Sequence, residues 1–149
     1  MNKQLIIVIG LPGSGKTTMC QKLQTLNGYI IFDDFINNFY DGELLDTIQS
    51  GNKVCINDPR LCQHIIFEKY ISIFKKYVNH DNIYLILFEN NPNQCIKNVL
   101  QRNNNKVGII NTIKNNSKMY STDNYTKWNH QIISPYSDKN HLDAMNYQC

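Results

Sequence analysis

One stretch constrains this chain more than any other: Gly10-Leu11-Pro12-Gly13-Ser14-Gly15-Lys16-Thr17. It matches G-x-x-x-x-G-K-[ST], the phosphate-binding Walker A motif. The glycines let the backbone curl until consecutive N–H groups converge on one concavity that suits an anion. Lys16 reaches into that concavity as a flexible point charge for the β- and γ-phosphates. Thr17 offers a hydroxyl to Mg²⁺. A helix opening at this point turns its positive dipole end towards the phosphates. The expected nucleotide-holding set is therefore Gly10, Pro12, Gly13, Ser14, Gly15, Lys16, Thr17 and Thr18.

Such a loop works only between a strand and a helix, and the flanks supply both. Gln4 to Ile9 is a near-continuous apolar run, as expected for a strand buried on both faces. Met19, Cys20, Leu23 and Leu26 recur at helical spacing, and Asn27-Gly28 stops the helix. The pattern then repeats. Tyr29 to Phe32 reads as a short buried strand ending at Asp33-Asp34. Asp34 can cap a helix over Phe35 to Gln49, with Gly42 as a weak point where it can break in two. Lys53 to Ile56 reads as a third strand. Leu61 to Val78 reads as the longest helix, and Asn82 to Phe88 as a fourth strand. Asn91-Pro92 opens a helix that closes at Gln101-Arg102. Asn103 to Gly108 reads as a turn and Val107 to Tyr120 as a shorter helix. A fifth short strand is expected within Trp128 to Ile133, then a loop at Ser134-Pro135-Tyr136 and a tail from His141 to Cys149.

Strands alternating with helices predict an α/β fold: a three-layer α/β/α sandwich on a parallel sheet of about five strands. The 149 residues suit one domain, with a lid segment around 102–120. A net charge of +3 is too mild to demand a polyanionic partner. The five cysteines are odd in number and contain no C-x-x-C pair, which argues against a zinc site or a disulfide framework. With no run long enough to span a membrane, a cytoplasmic setting is expected, the host cytoplasm if the chain is viral.

The strand ends bring few polar residues to one edge, the edge where open α/β sheets bind ligands. A carboxylate there can take the proton of an attacking hydroxyl. Adjacent side chains on an extended segment point opposite ways, so one of Asp33 and Asp34 should face the reaction, and Asp33 is favoured. Asp58 follows a hydrophobic strand as a Mg²⁺-holding acid does. Arg60 and Arg102 are the only arginines in a chain that otherwise uses lysine. A planar guanidinium binds phosphate in a way that lysine cannot copy, so both are candidate phosphate ligands. Lys16, Asp33 and Arg102 are thus the expected catalytic set. Asp33, Asp34 and Arg60 form the acceptor side, Thr17 and Asp58 the metal side, and Arg102 adds to the nucleotide side.

These features resemble the P-loop kinases, and within them the polynucleotide 5′-hydroxyl kinases and related small kinases of phages and large DNA viruses. The resemblance runs over residues 1 to about 120. It rests on Gly10 to Thr18, Asp33-Asp34, Val54 to Arg60, and Phe88-Glu89-Asn90 through Arg102. It implies that Asp33 is the general base and Arg102 a lid arginine. Two departures stand out. Ile36, Asn37 and Asn38 occupy the stretch where polynucleotide kinases carry a phosphate-holding arginine. A second lid arginine is missing, leaving Lys106 or Lys114 to stand in.

The leading expectation is an ATP- and Mg²⁺-dependent phosphotransferase acting on a hydroxyl, in the resembling family a polynucleotide 5′-hydroxyl. The alternatives are a nucleoside or nucleoside monophosphate kinase, and a nucleotide-binding ATPase module that acts through partners. Expected partners are a nucleoside triphosphate and one of those acceptors, with no membrane.

Overall fold

The computed structural model describes residues 2–102 and 107–137. The Asn103-Asn104-Asn105 patch, Lys106, Lys139 and the expected tail lie outside the described residues.

Five strands form one sheet: β1 (Leu5–Ile9), β2 (Ile30–Asp33), β3 (Val54–Asn57), β4 (Ile83–Phe88) and β5 (His130–Ile133). Their order is β2-β3-β1-β4-β5, and every pairing is parallel. β1 and β4 are fully buried along their length. That is why they read as unbroken apolar runs: each face of a central strand meets a layer of helix. β2 was expected to be buried, yet Ile30 is 41% exposed. It pairs only with β3 and so forms an edge.

The faces divide by residue parity, as side chains alternating along a strand require. Leu5, Ile7 and Ile9 pack with Val54, Ile56, Leu85 and Leu87 beneath the later helices. These are α2 (Glu43–Gln49), α3 (His64–Phe74), α4 (Pro92–Leu100) and α5 (Val107–Ser117). Ile6, Val8, Cys55 and Ile86 face the other way, onto Met19, Cys20 and Leu23 of α1 (Lys16–Asn27). Helices on both faces make the three-layer α/β sandwich expected from the sequence.

Local chemistry sets the helix ends. Gly42, at φ +83, closes the 3-10 turn Phe35–Asp41 and opens α2, so the helix expected over Phe35 to Gln49 is indeed broken there. Asn91 caps α4 by accepting from the Gln94 N–H, with Pro92 in the first turn. One expectation fails: α3 is not the longest helix. Asp58 caps a separate 3-10 turn, Pro59–Cys62, and the extended Gln63 divides it from α3. α3 has 11 residues and α1 has 12. Cys20, Cys55, Cys62 and Cys95 are buried in the core as reduced thiols. Among the described residues no helix is long and apolar enough to cross a membrane.

Phe67 of α3 is 1% exposed and meets the Tyr125 ring edge-on at 4.8 Å. Phe67→Ala should lower stability by about 3–5 kcal/mol in urea titration. Ile65→Ala, on the same helix at 79% exposure, should change it by less than about 0.5 kcal/mol.

Candidate active site

A cavity of about 730 Å³ opens at the C-terminal ends of the strands. Its floor is the loop between β1 and α1. Gly13 and Gly15 take φ of +82 and +113, which an L side chain resists. Gly15 stands at the N-cap of α1 with no side-chain cap, so the helix presents its first N–H groups without a side-chain acceptor. Pro12, Gly13, Gly15, Lys16, Thr17 and Thr18 line the cavity. Gly10 and Ser14 are buried behind them, and the Ser14 hydroxyl has no hydrogen-bond partner among the described residues.

Lys16 is 8% exposed, and its Nζ donates to the Leu11 carbonyl at 2.9 Å. Burial lowers its pKa, while nearby thiols and the Asp34 carboxylate pull the other way. The ammonium is therefore held in a dry site, donating to a loop carbonyl. An anionic phosphate chain is a better partner than that carbonyl.

The strand ends supply the opposite wall. Asp33, Asp34, Asn57 and Pro59 all line the cavity. Both aspartates named for the acceptor side thus reach the cavity. Asp34 leaves the extended conformation for φ +48, ψ +45, which breaks the alternation. It occupies the cap position before Phe35 but makes no capping hydrogen bond. It is the only non-glycine residue at positive φ among the described residues. Burial, then Asp33 and Asp58, push its carboxyl pKa up, opposed by Arg60 and Lys16.

Asp58 and Arg60 are not where the sequence reading put them. Neither lines the cavity. The Asp58 carboxylate is fully buried and accepts from Arg60 N, Nε and Nη2 at 2.7–2.9 Å and from Ile36 N at 3.3 Å. Arg60 Nη2 also donates to Asn37 Oδ1 at 2.8 Å. The candidate metal acid and the candidate phosphate ligand are bonded to each other. Parity explains this. Asn57 pairs with Asp33 across β3 and β2 and shares the α1 face with Cys55. Its Nδ2 donates to Cys20 Sγ at 3.2 Å. Asp58, one residue on, turns to the opposite face. The polar residue that the strand delivers to the cavity is therefore Asn57. The sequence reading missed it by one position, and the register against Asp33 is the signal that finds it.

The last wall comes from beyond α4. Arg102 lines the cavity, followed by Val107, Gly108, Ile109 and Thr112 of α5. Lys114, offered as a stand-in cation, is exposed and does not line it. The other end of α5 is anchored: Asn90 Nδ2 donates to the Ser117 and Tyr120 carbonyls at 2.9 and 3.0 Å.

The chain is 47% identical over 133 residues to an uncharacterized protein, R277, of Acanthamoeba polyphaga mimivirus, spanning 89% of this chain and 96% of that one. It belongs to the same family as that viral protein. No protein-family model matches it. Among solved structures it is similar to a gluconokinase from Sinorhizobium meliloti 1021, with a TM-score of 0.65 at 10% identity over 97% of this chain and 90% of that one. A shikimate kinase from Acinetobacter baumannii in complex with shikimate gives 0.57 at 14% identity, over 95% and 89% of the two chains. A deoxyadenosine kinase from M. mycoides with bound dATP gives 0.52 at 13% identity, over 94% and 95%. At such identities these likenesses speak to architecture: the chain has the P-loop kinase fold.

Two outcomes follow from this geometry. Arg60→Ala leaves the buried Asp58 carboxylate with only backbone donors and should cost about 1–3 kcal/mol in urea titration, with the nucleotide Kd unchanged. Asp34→Asn should raise the melting temperature at pH 7 by about 2 °C. Asparagine tolerates positive φ, and the substitution removes a carboxylate whose folded-state pKa lies above its unfolded one. A carboxyl raised in this way destabilises the fold once ionised. The advantage of Asn should therefore shrink as pH falls through the folded pKa and vanish below the unfolded value, near 3.8.

Proposed function

We propose that this chain is a phosphotransferase that moves the γ-phosphoryl group of ATP to a hydroxyl of a small acceptor, with a nucleoside as the first candidate. The observation that carries the reading is a single cavity lined by a phosphate loop, two strand-end carboxylates and an arginine from beyond α4. Phosphoryl transfer asks for those parts: an anion cradle, cations for the spreading charge and a base for the acceptor.

In this reading the acceptor oxygen attacks the γ-phosphorus. Its proton passes to the Asp33 carboxylate as the new O–P bond forms. The bond from the γ-phosphorus to the β–γ bridging oxygen breaks, and ADP leaves with that electron pair. Lys16 and Arg102 stabilise the charge on the phosphoryl oxygens, and Asp34 holds the acceptor. The donor set suits Mg²⁺, a hard cation that keeps to oxygen: Thr17 and the carboxylate residues Asp33 and Asp34 line the same cavity. Bound with the triphosphate, the ion would neutralise charge on its β- and γ-oxygens.

The acceptor class follows from charge and polarity. Among the described residues, Lys16 and Arg102 are the cations lining the cavity, and a triphosphate claims both. Arg60, the other arginine, is held by Asp58 and Asn37. A phosphorylated acceptor would bring its anion towards Asp33 and Asp34 with no described cation to meet it. Val107, Ile109 and Pro59 instead offer apolar surface to a flat, uncharged group. A nucleoside combines such a face with free hydroxyls. The polynucleotide 5′-hydroxyl suggested by the sequence resemblance is less well supported: the similar structures are kinases of small molecules and a nucleoside.

Incubation with γ-labelled ATP and Mg²⁺ should label nucleosides in preference to nucleoside monophosphates or 5′-hydroxyl oligonucleotides. Label confined to oligonucleotides would restore the polynucleotide reading, and label on no acceptor would sink the kinase reading. Asp33→Asn should reduce kcat by at least about 10²-fold while leaving the ATP Kd within about twofold. Transfer near the wild-type rate would remove Asp33 from the role of base.

A further inference from the structure

Three parts of the chain meet at one side chain that the proposed chemistry does not use. Asn98, on α4, is 6% exposed. Its Nδ2 donates to the Gly13 carbonyl at 2.8 Å and to the Tyr136 carbonyl at 2.7 Å. Its Oδ1 accepts from Gln94 Nε2 at 2.8 Å, one turn earlier on the helix. With the oxygen held by Gln94, the amide has one orientation, both N–H groups turned to carbonyls. A second bond locks the same junction: Tyr136 N–H donates to the Ser14 carbonyl at 2.8 Å.

These bonds act on peptide planes. In a planar trans peptide the C=O and N–H point in opposite directions. Drawing the Ser14 carbonyl to Tyr136, which does not line the cavity, turns the N–H of Gly15, which does line it, the other way. Helix α4 also presses directly on the loop, since a Cβ on Gly13 would stand 2.6 Å from the Cys95 carbonyl oxygen. Four residues beyond Asn98, just past the end of α4, comes Arg102, which lines the cavity together with Gly13.

We infer that Asn98 is a positioning residue. It fixes the register between the phosphate loop, the segment after β5 and the end of α4, so that the loop N–H groups and the Arg102 guanidinium address one phosphate chain. The inference rests on the nucleotide-binding part of the proposed function. Asn98 touches no substrate here; it acts through the Gly13 and Tyr136 carbonyls. A merely structural asparagine would lower stability without altering how Arg102 contributes.

The experiment measures binding of a fluorescent ATP analogue with Mg²⁺, alongside urea unfolding without nucleotide. Asn98→Ala should raise the Kd about tenfold or more. Asn98→Asp should do worse, because a carboxylate then faces two carbonyls and adds negative charge behind the loop. Gln94→Ala keeps the donors but frees the amide, and should raise the Kd about threefold at an unchanged urea midpoint. The loss caused by Arg102→Ala should shrink at least about threefold in the Asn98→Ala background, as expected of coupled groups. Should Asn98→Ala fail to fold, Gln94→Ala carries the test. A Kd indifferent to Gln94 and Asn98, or losses from Asn98→Ala and Arg102→Ala that simply multiply, would overturn the positioning role alone. Wild-type protein that takes up no nucleotide would overturn the nucleotide reading and this inference with it.

Discussion

The close approach of the phosphate loop to helix α4 is the constraint on which the rest of this structure depends. Only a glycine at position 13 lets the loop lie against the Cys95 carbonyl, and its φ of +82 excludes most side chains independently. That contact brings Asn98 within reach of the loop carbonyls and sets Arg102 above the cavity. The Gly13 carbonyl finds its partner on α4 and the Ser14 carbonyl at Tyr136, while the Ser14 N–H closes back on the Leu11 carbonyl. A loop built on glycine has little conformational preference of its own, so its shape must come from what surrounds it.

The parallel sheet does the rest of the positioning. β1, β3 and β2 end side by side, which brings the loop, Asn57 and Asp33 to one edge. Parity then decides which residue at each strand end meets the cavity and which turns away. Asn57 goes to the α1 side, and Asp58 goes to the other, where it binds Arg60 and the Ile36 N–H. The buried carboxylate is satisfied there by charge-assisted bonds, and the turn Pro59–Cys62 is held in place.

Charge is distributed unevenly around the cavity. Lys16 is buried with its pKa lowered by desolvation, which leaves it poised for an anion. Asp34 is held at positive φ, with its carboxyl pushed up by burial and by neighbouring acids. Backbone strain combined with like-charge crowding is unfavourable for folding and recurs at functional sites. With Arg60 bonded internally, Lys16 and Arg102 are the cations lining the cavity among the described residues, and Asp33 and Asp34 its carboxylates.

Much of this was legible in the chain itself. The Walker A spacing, the apolar runs of β1 and β4, the Asn91-Pro92 cap and the break at Gly42 are local patterns, and local patterns follow from periodicity and backbone propensity. They determined the α/β class, the element order and the phosphate loop. What the sequence alone left undecided were relations between distant residues. It assigned Asp58 and Arg60 to separate ligands because spacing along the chain does not reveal that a carboxylate and a guanidinium two residues apart close on each other. It passed over Asn98, an unremarked amide on a helix, because its partners lie 85 and 38 residues away. Pairings of that kind exist only once the sheet order has brought α4, the loop and the segment after β5 together, and that was for the tertiary structure to decide.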